Sequence, residues 1–200
     1  QKEQQEQEQK EKQQENNQNE IISLQSNEQL QVKMIGEAEN FRVYAHQDSS
    51  TQVSMWHDIK LFPEKDSKKK KIVNMICEIP KCSRKKYEIA TKEPGNPIKQ
   101  DIKKGKLREF ARGDLYFNYG CLPRTWEDPE VLHPDAKHRG DNDPLDICEI
   151  GLRIMGLAEI SPVKILGTLC LIDEGEADWK IIGINVNDPW AELLNDVDDV

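Results

Sequence analysis

From about residue 28 onward, apolar and polar side chains alternate with a period of two. Phe41, Val43 and Ala45 are each flanked by polar neighbours, and Val73, Met75, Cys77 and Ile79 alternate within Ile72–Ile79, a run closed by Pro80. This is the pattern of strands that turn one face to a core. It predicts further short strands at Lys86–Thr91, Asp114–Tyr119, Leu145–Ile150, Val163–Ile172 and Trp179–Asn185. Turn signals divide them at Glu93-Pro94-Gly95-Asn96-Pro97, Lys104-Gly105, Leu122-Pro123, Asp143-Pro144 and Asp173-Glu174-Gly175. Many short strands at this spacing point to a mainly β barrel or sandwich. Near the end, Asp188-Pro189 forms an N-cap and first-turn pair that predicts a short helix through Trp190, Leu193 and Leu194.

The beginning of the chain breaks this pattern. Gln1 to Glu20 consists only of Gln, Glu, Lys and Asn, which cannot bury enough apolar area to offset the entropy of ordering. A Gln/Glu-rich disordered tail is therefore expected over residues 1–27, with one domain over 28–200. The chain opens at Gln1 and not Met, so a processed or partial sequence is expected. No apolar run approaches the roughly 18–20 residues of a membrane-spanning helix, and no secretory signal is visible. Five scattered cysteines without a CxxC pair fit neither a disulfide framework nor a zinc site. Reduced thiols in the cytoplasm are the expectation.

Net charge alters the picture through its distribution. The total of −9 divides into −6 over residues 1–59 (5 basic, 11 acidic), +9 over residues 60–110 (16 basic, 7 acidic) and −12 over residues 111–200 (7 basic, 19 acidic). A basic segment beside an acidic one suits a site that needs both signs, cations for an anionic ligand and carboxylates for metal ions. Uneven charge on a solvated surface is the alternative.

The acidic half holds the most informative stretch, Gly140-Asp141-Asn142-Asp143-Pro144-Leu145-Asp146. Three carboxylates this close repel unless cations sit between them, and hard oxygen donors suit Mg²⁺ or Mn²⁺ better than zinc. An EF-hand is excluded, because counting from Asp141 places Asp146 where glycine is required and Leu152 where glutamate is required. A second acidic cluster, Asp173-Glu174-Gly175-Glu176-Ala177-Asp178, lies between two predicted strands. If both loops meet at one barrel rim, they supply the carboxylates of a multi-metal phosphoryl site. The basic segment offers Lys85, Lys86 and Arg108 for phosphate oxygens, whereas Lys68–Lys71 read as a solvated loop.

Other motifs are weak. His46, His57, His133 and His138 lack metal-ligand spacing, and Leu157 stands where a phosphate loop beginning at Gly151 needs lysine. There is no Gly-x-Ser-x-Gly elbow. Trp56, Trp126, Trp179 and Trp190 are expected in the core.

Asp141-Asn142-Asp143-Pro144-Leu145-Asp146 resembles the D-x-D-P-x-D signature of soluble family I inorganic pyrophosphatases. Trp56-His57-Asp58-Ile59, Glu78-Ile79-Pro80, Gln100-Asp101, Lys103-Lys104-Gly105-Lys106-Leu107-Arg108, Asn118-Tyr119-Gly120, Thr125-Trp126-Glu127-Asp128-Pro129 and the run from Asp173 to Lys180 resemble the eukaryotic branch. The likeness covers about residues 40–200 in one order. It implies an OB-like five-stranded β-barrel with flanking helices, and hydrolysis of pyrophosphate to two phosphates with several Mg²⁺ per site, Mn²⁺ being a substitute. Carried over, Asp141, Asp146 and Asp178 hold the first metal, with Asp146 bridging to a second. Asp143 is the general base for a metal-bridged water that attacks in line. Asp173 and Asp178 bind a further metal, and Glu88 and Glu78 complete the acidic cavity. Lys86, Arg108, Tyr119 and Lys180 grip phosphate oxygens, with Arg108 and Lys180 serving catalysis. A cytoplasmic homodimer is implied, with no nucleic-acid or membrane partner.

The sequence also departs from the family. Leu115, followed by Tyr116, stands where members place a tyrosine, and Lys81-Cys82 replaces an Arg-Trp pair of the dimer contact. Members continue past the position of Val200 into a phosphate-binding Tyr-Lys segment and a helix, so the domain is expected to be incomplete at its C-terminus. The alternatives are a catalytically incomplete fragment or relic that binds metal and phosphate, and an OB-type nucleic-acid-binding module. The acidic balance after Ala111 opposes the latter.

Overall fold

The computed structural model describes residues 21–23 and 30–200. Apart from Ile21–Ser23, the tail expected over residues 1–27 lies outside the described residues. The strands are β1 (Ile21–Ser23), β2 (Gln31–Ile35), β3 (Arg42–His46), β4 (Gln52–Val53), β5 (Ile72–Ile79), β6 (Tyr87–Ile89), β7 (Ile98–Gln100), β8 (Ile102–Lys103), β9 (Lys106–Leu107), β10 (Asn118–Cys121), β11 (Arg139–Gly140), β12 (Asp146–Glu149), β13 (Ile160–Asp173) and β14 (Glu176–Asn185).

Strands β5, β10, β12, β14 and β13 pair in that cyclic order, and the β13–β14 and β13–β5 pairings close the ring. This is the expected OB-like five-stranded barrel. Every pairing in the ring is antiparallel except β12 with β14, which run parallel. The long β13 serves both sides: residues 160–164 pair with β5, and residues from Val163 onward pair with β14 across an irregularity at Ile165/Gly167. A second sheet, β1-β2-β3-β7-β6 with β4 on β3, lies outside the ring.

The two sheets share β5 as a wall. Val73, Met75 and Cys77 pack with Leu122, Ile147, Met155 and Val163. Ile76, from the opposite face, packs with Val32, Val43, Met55, Ile89 and Ile98. All residues from Val73 to Ile79 are consequently buried, and each large apolar side chain there contributes about 1.5–3 kcal/mol.

Two predicted elements differ in the structure. The strand expected over Asp114–Tyr119 forms as β10, shifted toward the C-terminus, because Leu115 is engaged by a loop: its N–H donates to the Ser83 carbonyl at 3.1 Å, and its carbonyl accepts from Cys82 N–H at 2.8 Å. The helix expected after Asp188 is a series of turns. Asp188 does cap the Trp190 N–H at 2.9 Å, but its other oxygen accepts from Leu152 N–H at 2.7 Å. Trp190 and Leu193 remain exposed, leaving no apolar stripe to hold a helix against the barrel. The flanking helices expected from the resemblance are absent among the described residues, where only the 3-10 turns Ala38–Asn40 and Val197–Asp199 occur. No helix among those residues is long and apolar enough to cross a membrane.

Candidate active site

The register of β14 brings the two acidic stretches together. β12 lies parallel to it with Asp146 opposite Lys180, and β11 lies parallel to it with Gly140 opposite Ala177. The loop carrying Asp141 and Asp143 therefore runs beside Asp178. Gly140 is required for this approach, since a Cβ there would stand 2.3 Å from the Glu127 backbone carbonyl. The loop is also tied down by hydrogen bonds from Glu127 N–H to the Asp143 carbonyl and from Asn142 N–H to the Glu127 carbonyl, both 2.9 Å.

On β10, Tyr119 sits opposite Cys148, so its ring reaches diagonally to Asp146, two residues away on the same face of β12. The phenol donates to Asp146 Oδ2. Lys180 donates to the same oxygen at 2.5 Å and also to Asp178 Oδ1. Burial raises the Asp146 pKa, and Lys180 and Tyr119 offset it only in part. Burial also works against the charged form of Lys180, but Asp146 and Asp178 outweigh it and hold the ammonium above its ordinary value.

Glu78, at the end of β5, is buried and accepts the Ile89 N–H at 2.7 Å. Its burial, with the Asp146 charge, holds its carboxyl well above the usual range. Glu88 on β6 lies 3.5 Å from Lys86, and burial pushes its pKa up despite that partner. Lys86 also lies 3.6 Å from Asp101, which Arg108 contacts at 2.9 Å. Asp143 is exposed, yet desolvation by the groups around it, then Asp141, Glu88 and Asp146, raise its carboxyl to about 6.

Glu127 and Asp101 carry no role in the sequence reading, yet Glu127 joins a carboxylate cluster and Asp101 pairs with both Lys86 and Arg108. Glu127 accepts the Trp179 N–H at 2.9 Å through Oε1, while its buried Oε2 has no hydrogen-bond partner among the described residues. Oxygens of Glu127, Asp141 and Asp178 all lie within 4.8 Å of one another. Burial, against the Trp179 bond and reinforced by Asp141, Asp146 and Asp178, pushes Glu127 to about 8. Converging carboxylates with one orphaned, desolvated oxygen fit a hard divalent cation. Their only sequence signal is the motif in which each sits.

The remaining candidates separate clearly. Asp173 stands at the exposed tip of the β13–β14 hairpin opposite Glu176. Tyr116 is 87% exposed and does not replace the tyrosine missing at Leu115. Lys85 is exposed and pairs as an isolated bridge with Glu109. Trp126 and Trp190 are exposed, contrary to a core role; the Trp179 ring lies 4.8 Å from that of His133, tilted by 51°.

The model of the inorganic pyrophosphatase family matches residues 75–200. Inorganic pyrophosphatase 1 of Caenorhabditis elegans is 51% identical over 165 residues, covering 80% of this chain and 38% of its own length. The chain spans about half the length, or less, of the curated relatives it matches. The type I inorganic pyrophosphatase of Toxoplasma gondii superposes with a TM-score of 0.78 at 44% identity, covering 86% of this chain and 75% of that one. An N-terminally truncated vacuolar soluble pyrophosphatase of Trypanosoma cruzi, solved in complex with PPi, gives 0.79 at 41% identity over 90% and 75%. With the signature loop, the closed barrel and these similarities in agreement, the chain belongs to the inorganic pyrophosphatase family.

Proposed function

We propose that this chain hydrolyses inorganic pyrophosphate to two phosphates with Mg²⁺, Mn²⁺ being a substitute. The observation that carries the reading is the convergence of the carboxylates Glu127, Asp141 and Asp178, with a buried oxygen unpartnered among the described residues, beside the cations Lys180, which bonds Asp146 and Asp178, and Lys86, whose charge acts on Asp143 and which shares Asp101 with Arg108. Such a pairing of signs suits a metal–polyphosphate substrate. The PPi bound by the Trypanosoma cruzi relative supports the choice of substrate.

Asp141, Asp146 and Asp178 would hold the first cation, Asp146 bridging to a second and Glu127 backing the set. Asp173, with Asp178, would bind a cation arriving with substrate, and Glu78 and Glu88 would close the cavity. The bound cations would acidify water and neutralise phosphoryl oxygens. Asp143 takes the proton from the attacking water, a role for which a carboxyl raised to about 6 is suited near neutral pH. The water oxygen attacks one phosphorus in line as the bond to the bridging oxygen breaks. Lys86, Arg108, Tyr119 and Lys180 hold the phosphate oxygens, and Arg108 and Lys180 offset the charge of the departing group. A cytoplasmic homodimer acting on a small molecule, without a nucleic-acid or membrane partner, completes the proposal.

Phosphate release from pyrophosphate by the 200-residue chain, with Mg²⁺ and then with EDTA, tests it. Mg²⁺-dependent turnover supports the reading. A folded chain without turnover overturns it in favour of a fragment or relic that binds metal and phosphate.

A further inference from the structure

The β8–β9 hairpin grows directly out of the phosphate-facing cations. Asp101 precedes it and Arg108 follows it. Arg108 N–H donates to the Asp101 carbonyl at 2.8 Å, their side chains pair at 2.9 Å, and the Lys86 backbone bonds to both residues. The turn is Lys104-Gly105, with φ of 55° and 72°. Two consecutive left-handed residues define a type I′ turn, whose twist matches the flanking strands and makes a stiff ribbon. The second of them is glycine, which adopts that conformation without strain.

Register then fixes which side chains share a face. Lys103 pairs with Lys106, and Ile102 with Leu107. With a period of two, Lys103 and Lys106 project from the face that carries Asp101 and Arg108, while Ile102 and Leu107 project from the other. Two lysines directly opposite each other destabilise a hairpin. Neither they nor Lys104 has an ion-pair partner among the described residues: of the nearest carboxylates along the chain, Asp101 is held by Arg108 and Lys86, and Glu109 stands beyond Arg108 in a bridge with Lys85. All three lysines are exposed. Lys106 is two residues from Arg108, about 7 Å along an extended strand, which is inside the Debye length of about 10 Å at 0.1 M salt.

We propose that Lys103 and Lys106, with Lys104 at the tip, form an electrostatic approach that draws anionic magnesium pyrophosphate toward Arg108 and Lys86. The like-charge pair that costs the hairpin stability has this use: unneutralised cations on a rigid arm strengthen the positive field beside Arg108 and Lys86. The inference rests on the pyrophosphatase reading above and adds to it a group outside the bound phosphates.

The test compares K103Q/K106Q with the unaltered chain as ionic strength varies. At about 20 mM salt the variant should lose roughly 3–10-fold in kcat/KM with kcat within about twofold, and the gap should close near 0.5 M salt, where screening is complete within a few ångströms. K103R/K106R should restore the rate. K68Q/K69Q removes the same charge at the opposite end of β5 from Glu78 and should leave the salt dependence unchanged. Association with imidodiphosphate, a hydrolysis-resistant analogue, followed by stopped-flow tryptophan fluorescence with Mg²⁺, should show the same pattern in its on-rate. Equal salt slopes in K103Q/K106Q and the unaltered chain, or equal losses in K68Q/K69Q, overturn the inference while leaving the pyrophosphatase reading intact. Absence of turnover with salt-dependent, Lys103/Lys106-dependent binding of the analogue overturns the catalytic reading alone. A folded chain that neither turns over nor binds the analogue overturns both.

Discussion

Glu127→Gln isolates the buried oxygen on which the metal assignment depends. The carboxyl lies at about 8 in the folded chain against an ordinary 4.5, chiefly from burial and then from Asp141, Asp146 and Asp178, with the Trp179 N–H opposing. Because the folded value is the higher one, the fold favours the protonated form. The stabilisation is complete below pH 4.5 and is lost as pH rises through about 8. At 1.36 kcal/mol per pH unit the span has a ceiling of about 5 kcal/mol, and water entering the cleft reduces the expected value to about 2–3 kcal/mol. Glutamine cannot ionise, and its Oε1 can still accept from Trp179 N–H. Thermal unfolding in EDTA at pH 5, 7 and 9 should therefore show the unaltered chain losing roughly 4–12 °C more than the variant between the extremes, at about 2–4 °C per kcal/mol. Comparing the two chains cancels the titration of Asp143, Asp146 and Glu78, which both retain. Loss of the carboxylate should also weaken Mg²⁺ binding by about 10–100-fold in calorimetry, the usual effect of removing a supporting group. Parallel pH curves with unchanged Mg²⁺ affinity would refute the assignment of Glu127 to the cation site.

Asp143→Asn should lower kcat by about 10²–10⁴, the usual contribution of a general base, while leaving the melting temperature within a few degrees; near-unaltered turnover would deny Asp143 that role. Glu149 is buried and accepts from Gly151 N–H at 2.8 Å, Asn185 N–H at 2.9 Å and Asn118 Nδ2 at 2.7 Å. Its truncation to Ala should cost about 3–5 kcal/mol in urea unfolding, since three buried donors lose their acceptor at once, and a loss below about 1 kcal/mol would contradict the geometry. Gly140→Ala should lower both stability and Mg²⁺ affinity, because its Cβ meets Glu127 backbone atoms at 2.3 Å; Gly156→Ala, whose Cβ meets nothing nearer than 3.7 Å, should do neither.

Elements bounded by strong punctuation were legible in the sequence. β5 forms over Ile72–Ile79 as read, between a lysine run and Pro80. β12 and β14 fall within or around their predicted segments because their apolar runs are bounded by turn residues, Asp143-Pro144 before β12 and Glu174-Gly175 before β14, and Gly183 is held in the ladder by Ile165 and Glu149. β10 begins later than read because the 82–83 loop holds Leu115, and its C-terminal half escaped the reading because Gly120 interrupts the apolar pattern; the close approach of Gly120 to the Ile76 carbonyl leaves no room for a side chain. The helix after Asp188 failed for a different reason: a capping residue can start a helix, but burial of a stripe must hold it. Asp141, Asp143 and Asp146 stand out by their local spacing. Glu127 does not, because its function as a cluster member arises from Trp179 and Asp178, some fifty residues later.

The convergence itself follows from one feature that alternation cannot reveal. β12 and β14 are parallel, with Asp146 against Lys180 and Glu149 against Gly183. Parallel strands start at the same edge, so the loops that precede them share one rim. The Asp141–Leu145 loop thus lies alongside Glu176–Asp178, and β11 fixes the alignment one step further with Arg139 against Glu176. Had the two strands been antiparallel neighbours, their leading loops would stand at opposite ends of the shared four-residue ladder, about 13 Å apart along the strand at 3.3 Å per residue. That separation exceeds what carboxylate side chains span around one cation. The connection that permits parallel pairing is β13, long enough to leave β5, bend at Ile165/Gly167 and return as the hairpin partner of β14. Closing the barrel through β13 and assembling the carboxylates through β11 and β12 therefore both depend on β14, and a substitution that frays β14 from β12 should disperse Asp178 from Asp141, seen as lost Mg²⁺ affinity in calorimetry.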